Sequence, residues 1–103
     1  MKNRLLENDF IEKDGIFIRE FKGGYAIQDE VSLEFEIFRD VVVAKAYIFE
    51  KDNEWFLNLY KMNPRKGSFE KEYDSLCIQE IEKHGDFFEL LLRSIYIDLD
   101  NEK

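Results

Sequence analysis

The sequence predicts an α+β domain: an antiparallel β-sheet, a meander of about five to six strands, with one or two C-terminal α-helices packed on one face. Three observations carry this. From about residue 8 to 62 apolar and polar residues mostly alternate, the period of half-buried strands. Short polar or glycine-containing breaks separate these runs, and short connections join antiparallel neighbours. After Pro64 and Gly67 the apolar spacing changes to three and four, the period of an amphipathic helix.

The first hairpin is signalled by Asp14-Gly15, which joins Asp9–Lys13 to Ile16–Phe21, because both central residues of that turn prefer positive φ. Lys22-Gly23-Gly24 reads as a second turn leading to Tyr25–Gln28, and Asp29-Glu30 as a third turn or a bulge. In Val31–Val42 (VSLEFEIFRDVV), Val31, Leu33, Phe35 and Ile37 share one side and are expected to face the core, while Ser32, Glu34 and Glu36 share the other. That strand is expected to end near Phe38-Arg39-Asp40. Val41–Glu50 follows, rich in β-branched and aromatic residues. Lys51-Asp52-Asn53 is a polar turn, and Glu54–Met62 completes the sheet with Trp55, Leu57 and Leu59 on one face.

The helical part is expected over 68–100. Ser68 is a candidate cap, followed by Phe69, Tyr73, Leu76, Cys77 and Glu80, with Gly85 as terminator. Asp86-Phe87-Phe88-Glu89 resembles a capping box for a second helix, on which Glu89 and Arg93 form an i,i+4 pair. From Ser94 the alternation of Ile95, Ile97 and Leu99 is also compatible with a strand.

At 103 residues the chain has the size of one domain, residues 1–103. Ten Phe, five Tyr and one Trp supply the apolar content that disordered chains lack. Cys77 is the only cysteine, so no intramolecular disulfide forms. The N-terminus has no uninterrupted apolar stretch of the signal-peptide type, and the longest apolar runs fall far short of a membrane span. A cytoplasmic protein is the expectation.

The formal net charge is −8, which opposes direct contact with nucleic-acid phosphates or an anionic membrane surface. Residues 67–103 hold ten acids against four bases, so most of the excess lies there. The short basic stretch from Lys61 to Lys66 reads as solvated surface.

Catalytic chemistry is sparse. Cys77 and His84 lie seven residues apart, about 10 Å along one helix, too far for a thiolate–imidazole pair. Cys77 reads as a small buried residue and His84 as a residue of the last helical turn. No Cys/His zinc spacing, EF-hand, P-loop or dinucleotide fingerprint is present. Glu20-Phe21-Lys22 has the E-x-K form of many nuclease metal sites, with Asp9 or Asp14 as a further ligand. Such a triplet arises easily by chance in a chain this rich in Glu and Lys.

The remaining signal is acidic. Glu34 and Glu36 lie about 6.8 Å apart on one strand face, near the phosphate spacing of a DNA strand, with Asp40 just beyond. Glu50, Asp52 and Glu54 flank a turn; Glu70, Glu72 and Asp74 form a third row, and Asp98, Asp100 and Glu102 a fourth. Each row taken singly reads as a solvated face that discourages edge-to-edge association. Together with the net charge and the missing catalytic set, they suggest a non-enzymatic inhibitor without cofactor or metal. It would block a basic surface of a partner protein such as a nuclease, with Tyr25, Tyr47, Tyr60 and Tyr96 as candidate interface aromatics. The likeness to toxin-immunity proteins and to phage-encoded nuclease inhibitors, including anti-CRISPR proteins, is one of size, charge and absent chemistry. It carries over no motif and no site residue. Two other readings are an adaptor that binds through an apolar patch and a carboxylate-metal enzyme around Glu20 and Lys22.

Overall fold

The computed structural model describes the backbone of residues 1–101 and the side chains of residues 1–96. Five antiparallel strands form one meander sheet in the order β1-β2-β3-β4-β5: Ile11–Lys13, Ile16–Gln28, Phe35–Lys51, Glu54–Asn63 and Ser68–Cys77. A six-residue helix α1 (Lys2–Glu7) precedes the sheet; α2 (Ile78–Ile81) and α3 (Phe87–Asn101) follow it. Among the described residues no helix is long and apolar enough to cross a membrane.

The core lies between one face of the sheet and the helices. Alternation along β2, β3 and β4 sends Phe17, Phe21, Ala44, Ala46, Ile48, Trp55, Leu57 and Leu59 inward. Against them pack Leu5 of α1, Phe10, Ile78, and Phe87, Phe88, Leu91 and Ile95 of α3. Phe10 meets Phe21 and Phe88 edge-on, with centroids 6.5 and 6.2 Å away. Lys61 ends the inward row of β4, and its Nζ donates to the Ser94 carbonyl at 2.9 Å, so α3 is tied to the sheet by a charge-assisted bond beneath it.

The Asp14-Gly15 turn is present, with both residues at positive φ (52° and 80°). Asp52 and Asn53 form the β3–β4 turn in the same way, at 54° and 64°. Asp86 caps α3, its Oδ2 accepting from the Glu89 amide at 3.0 Å, and Glu89 pairs with Arg93 at 3.2 Å. Residues 94–100 are helical, not extended.

Three expectations are corrected, and one element is unforeseen. Gly23-Gly24 is not a turn: β2 runs through it as one strand, and the pairing register with β3 shifts there. Lys22 pairs with Val42 while Phe21 pairs with Ala44, which leaves Val43 as the extra residue of a bulge. A second irregularity falls between Gly23 and Tyr25, opposite Asp40 at φ 54°. A Cβ on Gly24 would lie 2.8 Å from the Phe38 carbonyl oxygen; glycine is there to let the backbones approach.

Accordingly, the break expected at Phe38–Asp40 is also a bulge within the single 17-residue strand β3. Next, the segment read as a helix from Ser68 is the edge strand β5. Phe69 and Lys71 share a side by simple alternation, then the register shifts and Ser75 (φ 51°) bring Tyr73 and Leu76 opposite the buried Leu59 and Leu57. Those irregularities spread the apolar residues to helix-like spacing. Pairing with the open edge of β4 outweighs the modest helix propensity.

Lastly, the N-terminus forms α1. Leu5 is fully buried, and Arg4 grips Glu82 through two bonds of 2.9 Å and reaches Asp86 at 3.2 Å. The bond from Arg4 holds the Glu82 carboxyl below its usual range. Cys77 closes β5 half-buried, and His84 is exposed in the turn after α2.

Candidate functional site

Length mismatch creates the most distinctive surface. A strand of 17 residues extends roughly 55 Å, whereas the 15 residues of α3 cover about 22 Å. The helices therefore shelter only part of β2 and β3. Beyond the Gly24–Asp40 irregularity the two strands continue as a hairpin arm, residues 25–40, in a molecule 53 Å along its longest axis.

The arm is closed by a turn organised around Asp29. Its carboxylate accepts the amides of Val31 and Ser32 at 2.7 and 2.8 Å, and bonds from Ser32 and then Val31 lower its pKa. The Asp29 amide donates to Glu34 O at 2.8 Å, and the Leu33 amide to Asp29 O at 2.9 Å. Leu33 takes φ 60° to complete the loop. Gln28 pairs with Phe35, Ile27 with Glu36, Ala26 with Ile37 and Tyr25 with Phe38.

The apolar row expected in the core is exposed on this arm: Val31 94%, Leu33 65%, Phe35 63% and Ile37 61%. No described residue covers it. The other side of the arm is better sheltered, with Tyr25 stacked on Phe38 at 4.9 Å and packed against the core. The arm carries Asp29, Glu30, Glu34, Glu36 and Asp40 against the single base Arg39, with Glu36 on the side opposite Phe35 and Ile37. The arm is thus apolar and net −4.

The acidic rows named from the sequence do not converge. Glu34 and Glu36 line one small depression with Asp29, Ser32, Ile27 and Phe35, and Asp40 sits at the base of the arm. Glu50, Asp52 and Glu54 are exposed at the opposite end of β3, roughly 45 Å from Glu36 by strand rise. Glu70, Glu72 and Asp74 lie on edge strand β5. Two of these acids already have cations: Glu70 holds Lys66 at 2.9 Å, and Asp74 holds Lys71 at 3.4 Å. The bonds from Lys66 and Asn63 lower the pKa of Glu70. Asp98 and Asp100 have no described side chains, and Glu102 lies outside the described residues.

Glu20 and Lys22 are both exposed on β2. Glu20 pairs across the sheet with Lys45, with an ion-pair distance of 3.8 Å, while the register shifts between Phe21 and Lys22. No group of three or more His, Cys, Asp or Glu suited to holding a metal occurs among the described residues.

The helix-free side of the sheet is the second notable surface. An open depression of about 460 Å³ is lined by Ile16, Lys45, Tyr47, Phe49, Asn58, Tyr60 and Phe69. Tyr47 meets Tyr60 edge-on at 5.7 Å, and Phe49 stacks on Phe56 at 5.7 Å. Lys45 lies over Phe69 at 4.7 Å and Lys71 over Tyr60 at 5.5 Å. Two of the four tyrosines named from the sequence are therefore on this side. Tyr25 is at the arm's base, and Tyr96 donates to the Lys22 carbonyl at 2.8 Å.

Sequence reasoning missed that Phe35 and Ile37 are themselves candidate contact residues. Their exposure follows from strand length, which the bulges hide in the sequence: Ile16–Gln28 and Phe35–Lys51 outrun the 15 residues of α3. Comparison with protein-family models, with curated proteins and with solved structures returns no match.

Proposed function

We propose that the protein is a non-catalytic binding protein that docks its β2–β3 arm onto a basic, apolar-lined surface of a partner protein, such as a nuclease, and so blocks it. The carrying observation is the exposure of Val31, Leu33, Phe35 and Ile37 on an arm that bears five acids against one base. Exposed apolar side chains grouped on a projecting hairpin supply affinity on burial. The arm's net negative charge steers it toward positive charge and rejects acidic surfaces. Inhibitor and adaptor readings thus draw on one element, in which acids select the partner and apolar side chains hold it.

Glu34 and Glu36 belong to this arm; the rows at 50–54 and 70–74 are too distant or too well paired to share one compact contact with them. Reversal of Glu34 and Glu36 to Lys is expected to weaken capture of a basic partner from host lysate by at least tenfold. It should also flatten the dependence of capture on NaCl, read by mass spectrometry of salt-eluted fractions. Unchanged capture with an unchanged salt profile would contradict the reading.

A further inference from the structure

Beyond the part of the sheet that β4 completes, β3 has an unpaired edge. Its pairing with β4 spans Ala44 to Lys51, whereas its pairing with β2 continues out to Phe35. Among the described residues no strand lies along the outer edge of residues 35–43.

The register fixes which backbone groups this edge offers. The Asp29 amide donates to the Glu34 carbonyl oxygen, so these two residues form a hydrogen-bonded pair, and bonded and non-bonded pairs alternate from there. Ile27 with Glu36 and Tyr25 with Phe38 are then bonded pairs, while Gln28 with Phe35 and Ala26 with Ile37 are not. The N–H and C=O of Phe35 and Ile37 consequently point away from β2, toward the free edge. An adjoining strand is the structure that such a row templates.

The two sides of the arm differ along this edge. Phe35 and Ile37 stand on the helix-free side, 63% and 61% exposed, with Arg39 next in line. Glu34 and Glu36 stand on the other side, where they line one depression with Ile27 and Asp29. The opposite edge of the arm, on β2, offers only Ala26 and Gln28 in the equivalent outward positions.

We propose that the partner docks by adding an extended segment as a strand to the β3 edge over residues 34–38, its basic residues beside Glu34 and Glu36 alternating with apolar residues beside Phe35 and Ile37. The proposal rests on the arm being a docking element and names what the arm recognises. Main-chain bonds hold the segment, and alternate side chains select it. A second copy of the chain fits this edge poorly. Two β3 edges joined about a two-fold axis, each Phe35 bonded to the other copy's Ile37, set the two Glu36 carboxylates directly opposite each other, which is destabilising.

The test is amide NMR of the full chain, titrated up to about 1 mM with a blocked peptide of alternating lysine and valine. An alternating glutamate–valine peptide is the control. The amide protons of Phe35 and Ile37 should move downfield as they gain hydrogen bonds. Those of Glu36 and Phe38, already bonded to β2, and of Ala26 and Gln28 on the other edge should move less. The glutamate peptide should bind at least tenfold more weakly. Ile37→Pro removes one edge N–H without touching a bond to β2. It should bind the lysine peptide more weakly than Ile37→Ala, with Trp55 fluorescence verifying that both variants are folded.

No binding of the lysine peptide, shifts centred on β5 instead, or equal binding of the two peptides overturns the proposal. So does a concentration-dependent dimer in which the Phe35 and Ile37 amides are already bonded, because a second copy then occupies the edge. A chain that ignores the peptide but captures a basic partner, and loses it when Glu34 and Glu36 are reversed, keeps the function proposed above and loses only the strand addition. A chain that takes the peptide at this edge but captures nothing does the reverse.

Discussion

Phe17→Ala is expected to lower the stability of the protein by about 3–5 kcal/mol. Phe17 is 1% exposed, pairs with Ile48 across the sheet and meets Trp55 edge-on with centroids 6.0 Å apart. Its ring lies in the part of the sheet covered by the helices. Truncation removes the transfer free energy of the ring and leaves a cavity that neighbours on three strands cannot readily fill. Small domains hold about 5–15 kcal/mol in total, so much of the chain's stability should disappear. Urea unfolding followed by Trp55 fluorescence reads the loss directly. A cost below about 1 kcal/mol would mean that Phe17 is not a core residue.

The second large effect concerns α1. A six-residue helix is too short to persist alone in water, so tertiary contact must hold it. Leu5 supplies that contact, and the Arg4–Glu82 pair adds a partly exposed tether. Leu5→Ala is expected to cost about 2–5 kcal/mol in the same unfolding assay. Hydrogen exchange of the α1 amides should rise to rates typical of a frayed terminus. A cost within ±0.5 kcal/mol, as for an exposed residue, would show that α1 is not part of the folded unit.

The class of the fold was legible because it depends on periodicity. Alternation through Trp55, Leu57 and Leu59 and the turns at Asp14-Gly15 and Asp52-Asn53 follow from local chemistry. So does the Asp86 cap of α3. Bulges were not legible. At Gly24 and Asp40 the chain uses residues that also make turns, and only the partner strand decides between a bend and a reversal. In β5 the irregularity at Ser75 gave Phe69, Tyr73 and Leu76 a helix-like spacing that the open edge of β4 overrode.

Less of the candidate site was legible, for a physical reason. Alternation in VSLEFEIFRDVV shows that the strand has two different sides. It does not reveal whether another element covers either of them. Glu34 and Glu36 are exposed as expected, but the apolar residues between them are exposed too. The acidic rows at 50–54 and 70–74 looked equivalent to the first in composition. Only the fold separates them along β3 and β5, and local pairs give Glu70 and Asp74 the lysines Lys66 and Lys71.

If the arm is a docking element, removing its apolar side chains abolishes capture without unfolding the protein. The intact chain and the double variant Phe35→Asp, Ile37→Asp are each used to capture proteins from host lysate, with Trp55 fluorescence verifying that both are folded. Because these side chains project from the sheet, the variant should unfold within about 0.5 kcal/mol of the parent. A basic protein held by the intact chain and lost from the folded variant is expected; the same protein held equally by both would mean that the arm does not dock.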